Sequence, residues 1–295
     1  MAGGGSSDAG PSPETGLGDL PESCVASVLV YLDPPQICRM AMLNRAFRGA
    51  SSADFVWESK LPLNYGDVID KVFEKDDGFC KGLCKKDIYS RLCRPNPLDG
   101  GTKKVWLDKS TGKTCTLVSS SGLAITGIDD RRYWSRIPME GSRDYLRPST
   151  LYYLLRNVAY LQQTWWFEVN GEIDFPFPTG SYSLFFRLQL GRTHKRFGRI
   201  VCNSEHVHGW ERKPVRFQLS TMDGQQATKQ CYLNLKEAGR WNHYHAGDFT
   251  VGKNCRSMRV KFSMTQIDCT HTKGGLCVDS VLICPAEHRE RLQLF

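Results

Sequence analysis

The sequence predicts an α+β fold, with three short helices at the N-terminus followed by an antiparallel β-sandwich. Three observations carry that expectation. Early in the chain, apolar residues recur at i, i+3, i+4 and i+7, the spacing of a single helix face. The run Pro95-Asn96-Pro97-Leu98-Asp99-Gly100-Gly101 is dense in residues that interrupt regular structure and marks a boundary. Beyond it, short apolar runs, one with clear period-two alternation, are separated by Gly, Pro and Asp turns.

The first helix is expected after Leu20-Pro21-Glu22, where Pro21 sets the entry angle, with Val25, Val28, Leu29 and Leu32 as its apolar stripe. Asp33-Pro34-Pro35-Gln36 ends it and starts the next, with Asp33 and Gln36 at capping-box spacing. Ile37, Met40, Ala41 and Leu43 are the apolar residues of the second helix, and Ala46, Phe47 and Ala50 those of the third. Asp54-Phe55-Val56-Trp57 closes the unit with a buried aromatic. So small a unit cannot bury all these side chains within itself, which leaves an apolar face for a partner.

The ordered set Leu20-Pro21-Glu22, Tyr31-Leu32-Asp33-Pro34, Asn44-Arg45-Ala46-Phe47 and Asp54-x-x-Trp57 resembles the F-box family over residues 17–62. That resemblance implies docking on a Skp-type adaptor, and through it on a cullin and a RING subunit. The adaptor-binding residues it implies are Leu20, Pro21, Leu29, Leu32, Pro35, Ile37 and Trp57.

Residues 63–101 are expected to form a helical linker, with helices over 65–74 and 85–93 split by Asp76-Asp77-Gly78. The sandwich is expected over residues 102–286, opening with a hairpin of 103–108 and 114–119 around Gly112. Further strands are expected at 164–169, 181–190, 215–220, 230–235, 248–251, 256–264 and 276–284. Within 181–190, Tyr182, Leu184, Phe186 and Leu188 share one face.

Lys104-Val105-Trp106-Leu107-Asp108-Lys109-x-x-Gly112, Gly122-Leu123-Ala124-Ile125-Thr126 and Tyr133-Trp134 resemble the start of the phloem protein two lectin domain, also known from Nictaba, the tobacco agglutinin. Residues 158–171, Gly239-x-Trp241 with Gly247-Asp248-Phe249, and Gly275-Leu276-Cys277-Val278-Asp279 continue the match. The resemblance implies a jelly-roll-like lectin domain in a plant F-box protein. It further implies that Trp134 stacks on a sugar ring, with Asp248 as an acidic partner. Packing of Trp134 at the core or rim is the other reading. Two departures stand out: Gly127 occupies the position of the family's first stacking tryptophan, and residues 144–157 are an insertion beside it.

The chain has 295 residues, enough for a small and an ordinary domain, and its 40% hydrophobic and 11% aromatic content suits packed globular structure. No apolar run is long enough to span a bilayer, residues 1–16 read as a flexible tail without signal-peptide regions, and Ala2 is not a myristoylation site. No membrane partner is expected. Residues 287–295 read as a C-terminal tail. Twelve cysteines without any Asn-x-Ser/Thr sequon point to reduced thiols, and so to cytoplasm or nucleus; Cys24, Cys38, Cys202, Cys277 and Cys284 sit in apolar runs as small hydrophobes. The formal charge of +8 is scattered, which suits a solvated surface better than a nucleic-acid interface.

No nucleophile elbow and no phosphate-cradling loop occurs, so no catalytic residue and no cofactor is expected. Cys80, Cys84 and Cys93 lack a fourth ligand at structural spacing, and His206/His208, His243/His245 and Cys269/His271 lack partners, so no metal is expected. At Trp165-Trp166, alternation along a strand predicts core packing for at least one ring. The two resemblances together imply the substrate-recognition subunit of a Skp-cullin-F-box ubiquitin ligase, which captures an unidentified target protein or glycoprotein. The alternative is a cytoplasmic or nuclear carbohydrate-binding defence lectin without a ligase role.

Overall fold

The computed structural model describes residues 20–73, 82–138, 157–197, 199–233 and 235–293. The expected tail at 1–16, the Asp76-Asp77-Gly78 break, Cys80 and nearly all of the 144–157 insertion lie outside the described residues.

Four short helices, where three were expected, open the chain: α1 (Glu22–Leu29), α2 (Pro34–Met40), α3 (Arg45–Ala50) and α4 (Asp54–Glu58). The extra helix is the Asp54–Trp57 segment itself. Its first-turn Asp54 favours the helix N-terminus, and Val56 and Trp57 are buried. Capping explains the breaks between helices. The Asp33 N–H donates to Gln36 Oε1 at 2.9 Å, and Asn44 Oδ1 accepts from the Phe47 N–H at 2.9 Å. The helices α5 (Tyr65–Val72) and α6 (Lys85–Leu92) follow.

The strands are β1 (Asn96–Leu98), β2 (Lys103–Leu107), β3 (Thr114–Ser119), β4 (Ala124–Ile125), β5 (Trp134–Pro138) and β6 (Asn157–Leu161). Then come β7 (Phe167–Phe175), β8 (Gly180–Leu190), β9 (Arg192–Arg196), β10 (Arg199–Asn203) and β11 (Val215–Thr221). The last are β12 (Gln226–Cys231), β13 (Trp241–Val251), β14 (Met258–Gln266) and β15 (Leu276–Pro285), before a closing helix α7 (Arg289–Gln293). The boundary segment itself supplies β1, an edge strand in which Pro97 needs no ladder donor.

All the pairings are antiparallel. In the first sheet β13 pairs β8 and β8 pairs β15. The other edge of β15 is shared, with β3, β2 and β1 beyond one half and β6 and β5 beyond the other. The second sheet has the order β12-β11-β14-β7-β4. On β14, Met258, Val260, Phe262, Met264 and Gln266 face the core while the residues between them do not. The sheets meet through Phe186 against Phe217 and Phe262, and Trp134 against Phe167. β15 is buried on both faces: Leu292 of α7 packs with Phe185, Cys115 and Cys284 at its C-terminal end, and Cys277 packs with Ile137, Val158 and Tyr160 at the other. The expected C-terminal tail is thus partly a packed helix.

Helices and sandwich share one continuous core, running from Val25 and Trp57 through Tyr89 to Val105 and onward. Trp57 packs on Tyr89 of α6 at 5.2 Å, and Asn64 donates to the carbonyl of Pro176 at 2.9 Å.

Candidate functional site

On the helical unit, three of the seven residues expected to meet an adaptor are core residues instead. Leu29, Ile37 and Trp57 are 1%, 0% and 3% exposed, and the Trp57 indole N–H donates to the Ser51 carbonyl at 2.7 Å. A side chain already packed inside its own chain cannot be covered again by a partner. Leu20, Pro21 and Pro35 are exposed, and Leu32 is half-buried against the core. Val28, on the expected apolar stripe of α1, is exposed.

Other apolar side chains take up the exposed role: Tyr31 is 89% exposed, Met42 75% and Leu43 64%, with Val28 and Phe55 also outside. This is more apolar surface than a short stretch of a monomer ordinarily leaves to water. The expected adaptor set left out Tyr31, Met42 and Leu43, which lie just beyond the ends of α1 and α2, where helical spacing no longer applies.

In the sandwich the expected pair does not converge. Trp134 is 2% exposed, stacks on Phe167 at 6.3 Å and donates its indole N–H to the Thr126 carbonyl at 3.1 Å. It is a core residue with its polar handle satisfied, and no face is left for a sugar. Asp248 lies elsewhere. Trp134 is in register with Leu161 and Leu276, whereas Asp248 is in register with Ser183 and Cys284. Four strand spacings and eight residues of strand separate them by roughly 30 Å. Gly127, the first departure from the resemblance, adopts φ 78° in the turn ahead of β5, a conformation that favours glycine.

Asp248 instead fastens the outer face of the first sheet. Its carboxylate accepts from Ser183 and from His245 Nε2 at 2.8 Å, and pairs with Arg289, the first residue of α7, at 3.3 Å. Burial opposes its ionisation, but the Ser183 and His245 donors outweigh that and hold its carboxyl below the usual range. Burial is also the main influence on His245, lowering its affinity for a proton despite the pull of Asp248.

Both rings of Trp165-Trp166 are outside the core, at 53% and 46% exposed, contrary to the expectation of packing. Trp166 is held: its indole N–H donates to Glu168 Oε2 at 2.9 Å, and Asn170 donates to Glu168 Oε1 at 3.2 Å. The Trp166 donor, then Asn170, keep the Glu168 carboxyl below its usual range. An exposed aromatic face, a carboxylate and an amide therefore coincide on the outer side of β7, which spacing could not reveal.

Among the described residues no group of three or more His, Cys, Asp or Glu is placed to hold a metal ion, and every cysteine is a free thiol. Cys24 and Cys38 are exposed rather than packed as small hydrophobes, whereas burial pushes the Cys277 and Cys284 thiols up to about 12. No helix among the described residues is long and apolar enough to cross a membrane.

Residues 113–285 match the family model described as Phloem protein 2. The chain is 59% identical to F-box protein PP2-A13 of Arabidopsis thaliana, over 92% of this chain and 89% of that one. It is likewise 59% identical to F-box protein PP2-A12 of Arabidopsis thaliana, over 95% and 91%. Among solved structures, TmCBM61 in complex with beta-1,4-galactotriose aligns at 12% identity and TM-score 0.30, over 56% of this chain and 90% of that one, too distant a likeness to carry an argument.

Proposed function

The chain belongs to the plant F-box proteins that carry a phloem protein 2 domain, and from that premise we propose that it is the substrate-recognition subunit of a Skp-cullin-F-box ubiquitin ligase. The observation that carries this is the double use of the helical unit. Leu29, Ile37 and Trp57 anchor it to the chain's own core, and Leu20, Val28, Tyr31, Met42 and Leu43 remain outside for an adaptor. The adaptor brings cullin and RING subunits, and the sandwich holds a target, a protein or a glycoprotein. No chemistry is asked of this chain. Holding a target's lysines beside a charged ubiquitin carrier raises their effective concentration there, which is how tethering accelerates a transfer performed by other subunits. The reading places the protein in the cytoplasm or nucleus.

Co-purification of the full chain with a plant Skp-type adaptor tests it, beside Leu20→Ala/Pro21→Ala and Tyr31→Ala/Met42→Asp. A stoichiometric complex weakened in both variants is the expected result. Failure of the wild-type chain to bind any adaptor would sink the proposal.

A further inference from the structure

The strands β9 and β10 form a ribbon of their own that pairs with neither sheet. Its register sets Arg196 opposite Arg199, Lys195 opposite Ile200, His194 opposite Val201 and Arg192 opposite Asn203, which leaves Phe197-Gly198 as the turn. Within residues 192–203 there are Arg192, His194, Lys195, Arg196 and Arg199, and no Asp or Glu. Alternation along β9, together with the register, puts Arg192, His194, Arg196 and Arg199 on one face. Sequence order shows only the short basic run His194-Lys195-Arg196; pairing of the strands adds an arginine on either side of it.

The base of the ribbon is fixed to the body. Cys202 sits against Gly191 and Gly239, where added Cβ atoms would stand 2.6 Å from its Sγ and 2.8 Å from its Cβ. Gln189 Nε2 donates to Thr193 Oγ1 at 3.4 Å. At the far end Phe197 is 95% exposed and holds φ 49°, which a tight hairpin turn requires and a residue other than glycine adopts at a cost. Two features leave the ribbon incomplete by itself. Arg196 and Arg199 are like charges directly opposite each other, which destabilises an antiparallel pair. In a hairpin with so short a turn the residues flanking it share hydrogen bonds, so Thr193 and Lys195 turn their N–H and C=O groups outward along β9. No further strand pairs with either edge among the described residues.

We propose that the β9–β10 ribbon is a docking edge for an acidic, extended peptide segment of the captured target, which adds a strand beside β9 and neutralises the arginine face. The inference rests on the receptor reading and gives the target a chemical class. An extended chain meets both the outward N–H and the outward C=O groups of an edge strand. Nucleic-acid phosphates only accept and would leave the carbonyls unmet, and a lipid surface would strip water from both. Alternate acidic residues of a strand lie about 7 Å apart, the spacing of Arg192, His194 and Arg196 along β9. Phe197 at the tip offers an aromatic anchor beside them. The same charges repel a second copy of the ribbon, which keeps an open edge from pairing with itself.

The test uses the full chain and a labelled pool of short peptides with glutamate at every second position and random residues between, beside a matched pool with lysine. A single-stranded uridine oligonucleotide and phosphatidylserine vesicles are the other probes. Binding is read by fluorescence anisotropy at physiological salt and mapped by NMR amide shifts, for wild type, Arg196→Glu/Arg199→Glu, Lys195→Pro and Lys195→Gln. The acidic pool is expected to bind and to shift residues 192–203. Charge reversal should weaken it about tenfold. Lys195→Pro deletes an outward N–H and no bond within the hairpin, and should weaken binding more than Lys195→Gln does. Binding that survives the variants or shifts other residues would overturn the proposal. So would equal binding of the lysine pool, tighter binding of the oligonucleotide or the vesicles, or no binding of the acidic pool at about 1 mM. Unchanged melting temperatures exclude misfolding of the variants. Adaptor capture without peptide binding refutes the ribbon proposal alone, and peptide binding without adaptor capture refutes the receptor reading alone.

Discussion

Arg187 and Asp279 form an ion pair at 2.9 Å with side chains 3% and 1% exposed, set between β8 and β15 where the register slips by one residue. Ser280 donates a second hydrogen bond to Asp279 at 2.7 Å, and the Arg187 guanidinium lies 4.4 Å from the centre of the Trp241 ring. Removing one partner leaves a buried charge uncompensated. Asp279→Ala is therefore expected to cost about 3–5 kcal/mol in denaturant unfolding, while Arg187→Met/Asp279→Leu recovers most of the loss.

Lys273 is wholly buried, and its ammonium donates to three carbonyls, of Trp165 and Gln266 at 2.8 Å and of Asp268 at 2.9 Å. All three of its protons are thus used, and it staples the approach to β7 to the exit of β14. Lys273→Met strands three acceptors, and a loss of about 3–5 kcal/mol is expected by thermal or denaturant unfolding. Hydrogen exchange should rise first around residues 164–168 and 266–268.

Acid should loosen the clasp that holds α7. His245 binds a proton less readily in the folded chain than its ordinary value of 6.5, and Asp248 also titrates below its ordinary range. Both folded values are depressed, so both contribute stability that is present at neutral pH and lost as pH falls. The His245 contribution fades as pH drops below about 6.5, and the Asp248 contribution fades further down, through the carboxylate range. Melting temperature followed from pH 8 to about pH 2 should decline in two legs, the lower one below about 4, and His245→Phe should abolish the upper one.

The two classes of helical residue should separate by experiment. Trp57→Ala removes a buried ring that packs on Tyr89 and caps the Ser51 carbonyl, and is expected to cost about 3–5 kcal/mol. Tyr31→Ala should stay within about 0.5 kcal/mol of wild type in unfolding yet weaken adaptor capture. Equal stability loss in both would show Tyr31 to be structural.

Local chemistry was legible where a residue acts on its near neighbours. Gln36 capping Asp33, the helices α5 and α6, and the alternation along β8 could all be read from spacing. The site was not. The match at Trp134 locates a position in the chain, but whether an indole points into or out of a sandwich is settled by what packs from the other sheet, here Phe167. Likewise β15 alternates poorly because α7 covers its Cys284 end and Ile137, Val158 and Tyr160 pack around Cys277, contacts that no period reports.

Gly112 sits with φ 67° where a Cβ would stand 2.5 Å from the Lys60 carbonyl, and Tyr89 fills the space beside it. That close seam, together with the core common to helices and sandwich, makes the protein a ruler rather than a tether. Under the proposed receptor function, a cargo held by the sandwich would be presented at one distance and one angle from whatever grips the helices. Which of its lysines receive ubiquitin would then follow from where they fall within that fixed reach, so two cargoes bound equally well would have different fates.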